Sequence, residues 1–175
     1  MHDPITKLMS LIRDIPDFPK PGVLFRDITP LLADPRGLAM SIELLANPFR
    51  GMGIDIVVGA ESRGFIFGTA VACAISAGFQ VVRKPKKLPW KTVARTYELE
   101  YGTDTLEMHE DAISPGQRVL IVDDVLATGG TMKACCDLVT QLGGEIVGVA
   151  VLTELTFLNG RKKVAPNKVH SVITY

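Results

Sequence analysis

Residues 119–131 read VLIVDDVLATGGT, and no other stretch limits the fold of this chain as much. After a leading arginine, residues 118–122 are an apolar, β-branched run, the pattern of a strand buried on both faces of a parallel sheet. Asp123 and Asp124 stand at its C-terminal end, and residues 123–131 read as a loop. Ala127, Thr128, Gly129, Gly130 and Thr131 open into a helix expected over about 131–142. Met132, Cys135, Val139 and Leu142 form its apolar stripe, and Gly143 stands at its C-terminal end.

The rest of the chain repeats the alternation. Asp3-Pro4 and Asp34-Pro35 each signal a helix start, followed by Ile5, Leu8 and Ile12 in the first case and Leu38, Ile42 and Leu45 in the second. Residues 17–30, with Pro19, Pro21, Gly22 and Pro30, read as irregular. Strands are expected over 54–59, 79–82, 146–152 and 169–174, and a helix over about 64–77. Residues 84–92 form a basic loop carrying Trp90, the only tryptophan. Beyond it Tyr97, Leu99 and Tyr101 alternate with Glu98 and Glu100, and after Gly102 Leu106 and Met108 alternate with Glu107 and His109, which predicts an antiparallel hairpin. The expected class is α/β, with a mostly parallel central sheet flanked by helices. In such sheets ligands bind beyond the C-terminal strand ends, here after Gly59, Val82 and Val122.

Composition narrows the function. Of 175 residues 47% are hydrophobic and 22% charged, which suits an ordered domain, and a net charge of zero argues against a nucleic-acid or membrane-surface binder. Residues 65–82 are nearly uncharged, but glycine, threonine, serine and alanine dilute them, so they read as a buried helix and strand rather than a membrane span. The N-terminal residues lack the apolar core of a signal peptide, and the chain ends soon after its last strand, so no extension is expected. Cys73, Cys135 and Cys136 suggest reduced, packed thiols in a cytoplasmic protein, and neither cysteines nor histidines offer metal-ligand spacing.

The decisive chemistry lies in residues 123–131. Small residues let the backbone wrap an anion, the free N–H groups of a helix start supply donors, and the Thr128 and Thr131 hydroxyls add two more. Two carboxylates beside such a cradle suit a ribose next to the phosphate, since vicinal hydroxyls donate to carboxylates and charge developing at the anomeric carbon is stabilised by them. A P-loop would need Lys where Thr131 stands, and Gly51 and Gly53 precede a strand rather than follow one. The plain alternative is an acidic turn that only caps a helix.

Residues 119–131 resemble the phosphoribosyl pyrophosphate-binding motif of the type I phosphoribosyltransferases. PDFPKPGVLFRDITPLL (16–32), GAESRGFIFG (59–68), RKPKKLP (83–89) and YELEYGTDTLEMH (97–109) are similar, in order, to segments of that family's adenine-using members. The resemblance implies one domain over 1–175 with the type I fold, a small N-terminal hood over 1–33, and a flexible lid and hairpin over 84–107. It implies transfer of phosphoribosyl from phosphoribosyl pyrophosphate to N9 of adenine, releasing AMP and pyrophosphate, with Mg2+ carried mainly by the pyrophosphate and no dedicated metal site, in a cytoplasmic homodimer.

By the same resemblance, Asp123 and Asp124 hold the ribose hydroxyls, while Ala127, Thr128, Gly129, Gly130 and Thr131 take the 5′-phosphate. Glu61, Ser62, Arg63 and Gly64 form the pyrophosphate loop. Lys84 and Lys87 begin the lid, although Lys86 and Trp90 depart from its usual residues. Glu100 corresponds to the catalytic glutamate, and Tyr101 closes over the site. Leu24, Phe25 and Arg26 form the hood over the base, with backbone groups of Leu24 and Arg26 matching the adenine edge and Phe25 and Val125 packing on the ring. Two alternatives stand beside this one. A phosphoribosyltransferase for another base would differ only in pocket residues, and a non-catalytic regulator sensing phosphoribosyl pyrophosphate would need a DNA-binding module that the sequence does not display.

Overall fold

The computed structural model describes residues 3–98 and 102–175. Asp3 caps α1 (Pro4–Met9), its carboxylate accepting from the Thr6 N–H, with Pro4 in the first turn where a missing N–H costs nothing. The helix stops at Met9, so Ile12 lies beyond it. Residues 17–30 are not wholly irregular: β1 (Arg13–Ile15) pairs antiparallel with β2 (Phe25–Asp27). Three-residue strands are too short to show a period of two, and their pairing is non-local. Arg13 and Asp27, and Arg26 and Asp14, form ion pairs across this ribbon. α2 (Thr29–Ala33) and α3 (Pro35–Ala46) follow, the second capped by the Asp34 carboxylate on the Gly37 N–H.

Next come β3 (Ile56–Ala60), α4 (Gly64–Ile75), β4 (Gly78–Val82) and the hairpin β5 (Thr92–Glu98) and β6 (Thr103–His109). β7 (Arg118–Leu126), α5 (Gly130–Gln141), β8 (Glu145–Glu154), α6 (Gly160–Val164) and β9 (Val169–Thr174) complete the chain. The central sheet runs β4-β3-β7-β8-β9, every pair parallel.

Alternate residues of each strand face opposite layers. Val57, Leu120, Val122, Ala150 and Leu152 pack with Leu8, Leu31, Leu45, Phe67 and Val71 from α1 to α4. Val58, Ile121, Val149 and Val151 pack with Met132, Cys135, Leu138 and Val139 of α5 and with Leu106 and Met108 of the hairpin. Truncating a fully buried leucine such as Leu120 to alanine in a layer this close costs roughly 2–5 kcal/mol.

Two expectations need correction. β5 begins at Thr92, not near Tyr97, because Thr92 pairs with His109 and Arg95 with Leu106. Cys73 is exposed, since α4 packs inward through Phe67, Val71 and Ala72; Cys135 and Cys136 are buried. The stretch over 65–82 is α4, twelve residues long, followed by β4, and among the described residues no helix is long and apolar enough to cross a membrane.

Candidate active site

The site begins where two central strands part company. β3 accompanies β7 only as far as Gly59 opposite Val122, then turns through Glu61, Ser62 and Arg63 into α4. β7 does not stop there. It continues to Leu126 because β8 stays paired with it, Asp123 opposite Val151 and Leu126 opposite Glu154. Asp123 and Asp124 therefore belong to the strand, not to a loop, and the loop before α5 shrinks to three residues, Ala127, Thr128 and Gly129. The flank that β3 has left is open, and a cleft of about 560 Å3 fills it.

Phe25, Glu61, Ser62, Arg63, Asp123, Asp124, Val125, Ala127, Thr128, Gly129, Gly130 and Thr131 all line this cleft. Gly64, at the start of α4, lies behind it: a Cβ there would come 2.8 Å from Oδ1 of Asp123, so only glycine lets the helix approach the carboxylate. Gly129 has φ +83°, and a Cβ on it would sit 2.5 Å from the Gly160 carbonyl oxygen, so the turn before α5 requires glycine twice over.

Both carboxylates are almost sealed from water, at 8% and 5% exposure. Burial pushes the Asp123 carboxyl well above the usual carboxylate range, and the neighbouring Asp124 charge pushes the same way. Asp124 is also raised by burial, opposed chiefly by the Arg63 guanidinium, whose Nε lies 2.9 Å from Oδ2. The Asp124 N–H donates to Asp123 Oδ1 at 2.9 Å, and the Thr153 hydroxyl donates to the Asp124 carbonyl at 2.9 Å. The guanidinium of Arg63 also stands 5.3 Å from the Phe25 ring centroid, within cation–π range.

A second, smaller and mainly apolar cavity of about 200 Å3 adjoins the first, lined by Val23, Leu24, Phe25, Arg26, Arg63, Asp124, Val125, Ala127, Thr153 and Leu155. Phe25, Arg63, Asp124, Val125 and Ala127 border both. The Arg26 side chain is paired with Asp14 and lies 4.0 Å over the Tyr175 ring.

Lys84 and Lys87 line neither cavity. The Lys84 ammonium pairs with Asp104, and the Lys87 carbonyl accepts from Arg83, whose Nε is 2.8 Å from Glu61. Glu100 and Tyr101 lie outside the described residues. Tyr97, Leu126 and Met132 also line the larger cleft, and Val23, Thr153 and Leu155 the smaller one; none is marked as a site residue by the sequence reading. The Tyr97 hydroxyl donates to Asp104 at 3.2 Å and shares a 3.3 Å hydrogen bond with Thr131, joining the hairpin to the helix start. Nothing local marks Thr153 and Leu155, because only the adjacency of β8 to β7 brings them to the cavity.

A parallel sheet whose central strand carries two buried carboxylates near its C-terminal end, beside a glycine-rich helix start, is the architecture of an α/β protein that binds its ligand at the carboxyl edge of the sheet. The model of the phosphoribosyl transferase domain matches residues 28–173, and the chain belongs to that family. It is 59% identical over 168 residues to the adenine phosphoribosyltransferase of Acidobacterium capsulatum, spanning 96% of this chain and 93% of that one. Its fold superimposes on the adenine phosphoribosyltransferase of Thermoanaerobacter pseudethanolicus with a TM-score of 0.95 at 50% identity, covering 98% and 99% of the two chains. The Saccharomyces cerevisiae adenine phosphoribosyltransferase, solved with an imino-altritol bisphosphate and adenine, matches with a TM-score of 0.91 at 39% identity, covering 97% and 98%.

Proposed function

We propose that this chain transfers the 5-phosphoribosyl group of phosphoribosyl pyrophosphate to N9 of adenine, giving AMP and pyrophosphate. The observation that carries this reading is the continuity of the polar cleft with the smaller apolar cavity. A sugar phosphate and a flat heterocycle bound side by side meet at their shared wall, where Asp124 stands.

In the reaction the N9–C1′ bond forms as the bond from C1′ to the pyrophosphate oxygen breaks, both electrons leaving with pyrophosphate. Ala127, Thr128, Gly129, Gly130 and Thr131 hold the 5′-phosphate, and Asp123 and Asp124 accept from the ribose hydroxyls and stabilise positive charge growing on the ring. Ser62, Arg63 and Gly64 receive the pyrophosphate, with Glu61 fixing Arg83 behind them. Phe25 and Val125 sandwich the base, while backbone groups of Leu24 and Arg26 pair with its N1 and amino group. A purine with the opposite donor–acceptor pattern leaves buried polar groups unpaired and is rejected. Glu100 holds and takes up the ring-nitrogen proton that adenine loses as N9 bonds to C1′. Tyr101, Lys84 and Lys87 belong to a lid and hairpin over 84–107 that closes on substrate, and residues 1–33 act as a hood.

Among the described residues no three His, Cys, Asp or Glu side chains converge as a metal site. Glu61 and Asp124 at the cleft wall are paired with Arg83 and Arg63, which suits Mg2+ carried mainly by the pyrophosphate and its waters rather than by protein ligands. The active species is a cytoplasmic homodimer. Adenine, phosphoribosyl pyrophosphate and Mg2+ mixed with the protein should give AMP, followed by the change in ultraviolet absorbance, with hypoxanthine and guanine as poor competitors. Turnover of hypoxanthine in preference to adenine would move the reading to another base. Tight binding of phosphoribosyl pyrophosphate without turnover of any base would move it to a regulator.

A further inference from the structure

α6 lines neither cavity, yet its first residue is wedged against the turn before α5. A Cβ on Gly160 would stand 2.3 Å from the Ala127 carbonyl oxygen, and one on Gly129 would stand 2.5 Å from the Gly160 carbonyl oxygen. The two backbones are therefore in direct contact, and Gly160 is not among the residues that line the cleft. The next residue, Arg161, anchors α6 to the sheet. Its Nε and Nη2 each lie 2.6 Å from an oxygen of Glu154, a bidentate pair, while Nη1 donates to the Val169 carbonyl at 2.9 Å and Nη2 to the Ser171 hydroxyl at 3.0 Å. Ser171 in turn donates to Glu154. Glu154 is 3% exposed and ends β8 directly opposite Leu126, the last residue of β7. None of Glu154, Gly160, Arg161 and Ser171 lines a cavity.

We propose that Glu154 and Arg161 are positioning residues for the 5′-phosphate: their ion pair clamps α6 so that Gly160 braces Ala127 and Gly129 in the shape that aims N–H groups at the phosphate. A planar fork making four directed hydrogen bonds fixes orientation as well as distance, which a lysine ammonium cannot reproduce. The inference rests on assigning residues 127–131 to the 5′-phosphate.

The test compares AMP, which carries that phosphate, with pyrophosphate, which does not use the turn. By calorimetry, Arg161→Lys and Glu154→Gln should weaken AMP on the order of tenfold, leave pyrophosphate within about twofold, and raise KM for phosphoribosyl pyrophosphate with kcat within about threefold, as expected of a misplaced rather than missing contact. Arg161→Lys keeps the charge beside the buried Glu154 and guards against loss of folding in the harsher Arg161→Met. Wild-type AMP affinity in both conservative variants would overturn the proposal, as would equal weakening of AMP and pyrophosphate, which is general loosening. Failure of the unmodified protein to bind AMP at all would instead sink the phosphate assignment and the brace with it.

Discussion

Arg63 Nε lies 2.9 Å from Oδ2 of Asp124, and the two side chains border both the polar cleft and the apolar cavity. Arg63 is half-exposed and Asp124 buried, so the pair joins a cation that water can reach to a carboxylate that it barely can. The ribose hydroxyls and the pyrophosphate would each compete for one partner of this bond.

Arg63→Ala should move the acid limb of the kcat/KM profile for phosphoribosyl pyrophosphate to higher pH. Burial raises the Asp124 carboxyl and Arg63 opposes that rise, so removing the guanidinium lets burial act alone. Activity needs the ionised carboxylate and is lost as pH falls through the raised value. KM should also rise about tenfold to a hundredfold, the worth of a charge-assisted hydrogen bond. Arg63→Lys should show a smaller shift, and an unmoved limb in both variants would assign the titration to another group.

Asp123→Asn should stabilise the fold while impairing catalysis. The Asp123 carboxyl sits above its unfolded value of 3.8, so its contribution to stability is full below that value and is lost as pH rises through the folded one. At pH 8 the buried charge opposes folding, and an amide of the same shape can still accept from the Asp124 N–H. Melting should rise by a few degrees, about 2–4 °C per kcal/mol for a domain of this size. The gain should be larger at pH 8 than at pH 4. With Asp124→Asn added, turnover should fall far more than KM for adenine rises, because these groups act on charge in the transition state. A melting point lowered at pH 8, or a folded double variant with full turnover, contradicts these roles.

Gly129→Ala should destabilise the protein by roughly 2–5 kcal/mol, summing a left-handed backbone penalty and an overpacking penalty. Gly116→Ala is the control: its φ is also +83°, but nothing lies within 4 Å of the added Cβ, so it carries only the backbone penalty of about 1–2 kcal/mol. Urea unfolding of both variants measures the difference, and equal losses would mean that Gly160 yields.

Glu100→Gln should retain substrate binding and slow chemistry by about 10²–10⁴-fold if the carboxyl moves a proton. Single-turnover measurements separate this from product release. Turnover unchanged in a folded variant would leave Glu100 no part in the chemistry.

Trp90 is 61% exposed in a basic loop and is the only tryptophan, so its emission reports this segment alone. Phosphoribosyl pyrophosphate with Mg2+ should change its emission and anisotropy, adenine alone much less, and rising salt should weaken the response by screening. Lys84 pairs with Asp104 near the start of this loop, and Lys91 with Glu110 at 3.9 Å near its end. Fluorescence indifferent to saturating substrate in active protein would place the moving segment elsewhere.

Much of this molecule can be read along the chain because its signals are short-range. Asp3 and Asp34 cap the helices that follow them by accepting from N–H groups three residues on, Gly143 ends one, and the apolar runs in β3, β7, β8 and β9 need no partner to be recognised. The Asp123–Asp124 pair and the glycine-rich turn carry their chemistry in consecutive residues, which is why the candidate site could be located before any fold was known. Three features could not be found that way. β7 runs past Val122 because β8 holds it after β3 has turned away; β1 and β2 exist only as each other's partner; and Thr153 and Leu155 reach the smaller cavity, and Gly160 the backbone of the turn before α5, from 26 or more residues beyond Ala127. Pairing and backbone contact between distant segments leave no periodicity in either one. They arise when the sheet assembles and its layers bury their apolar faces.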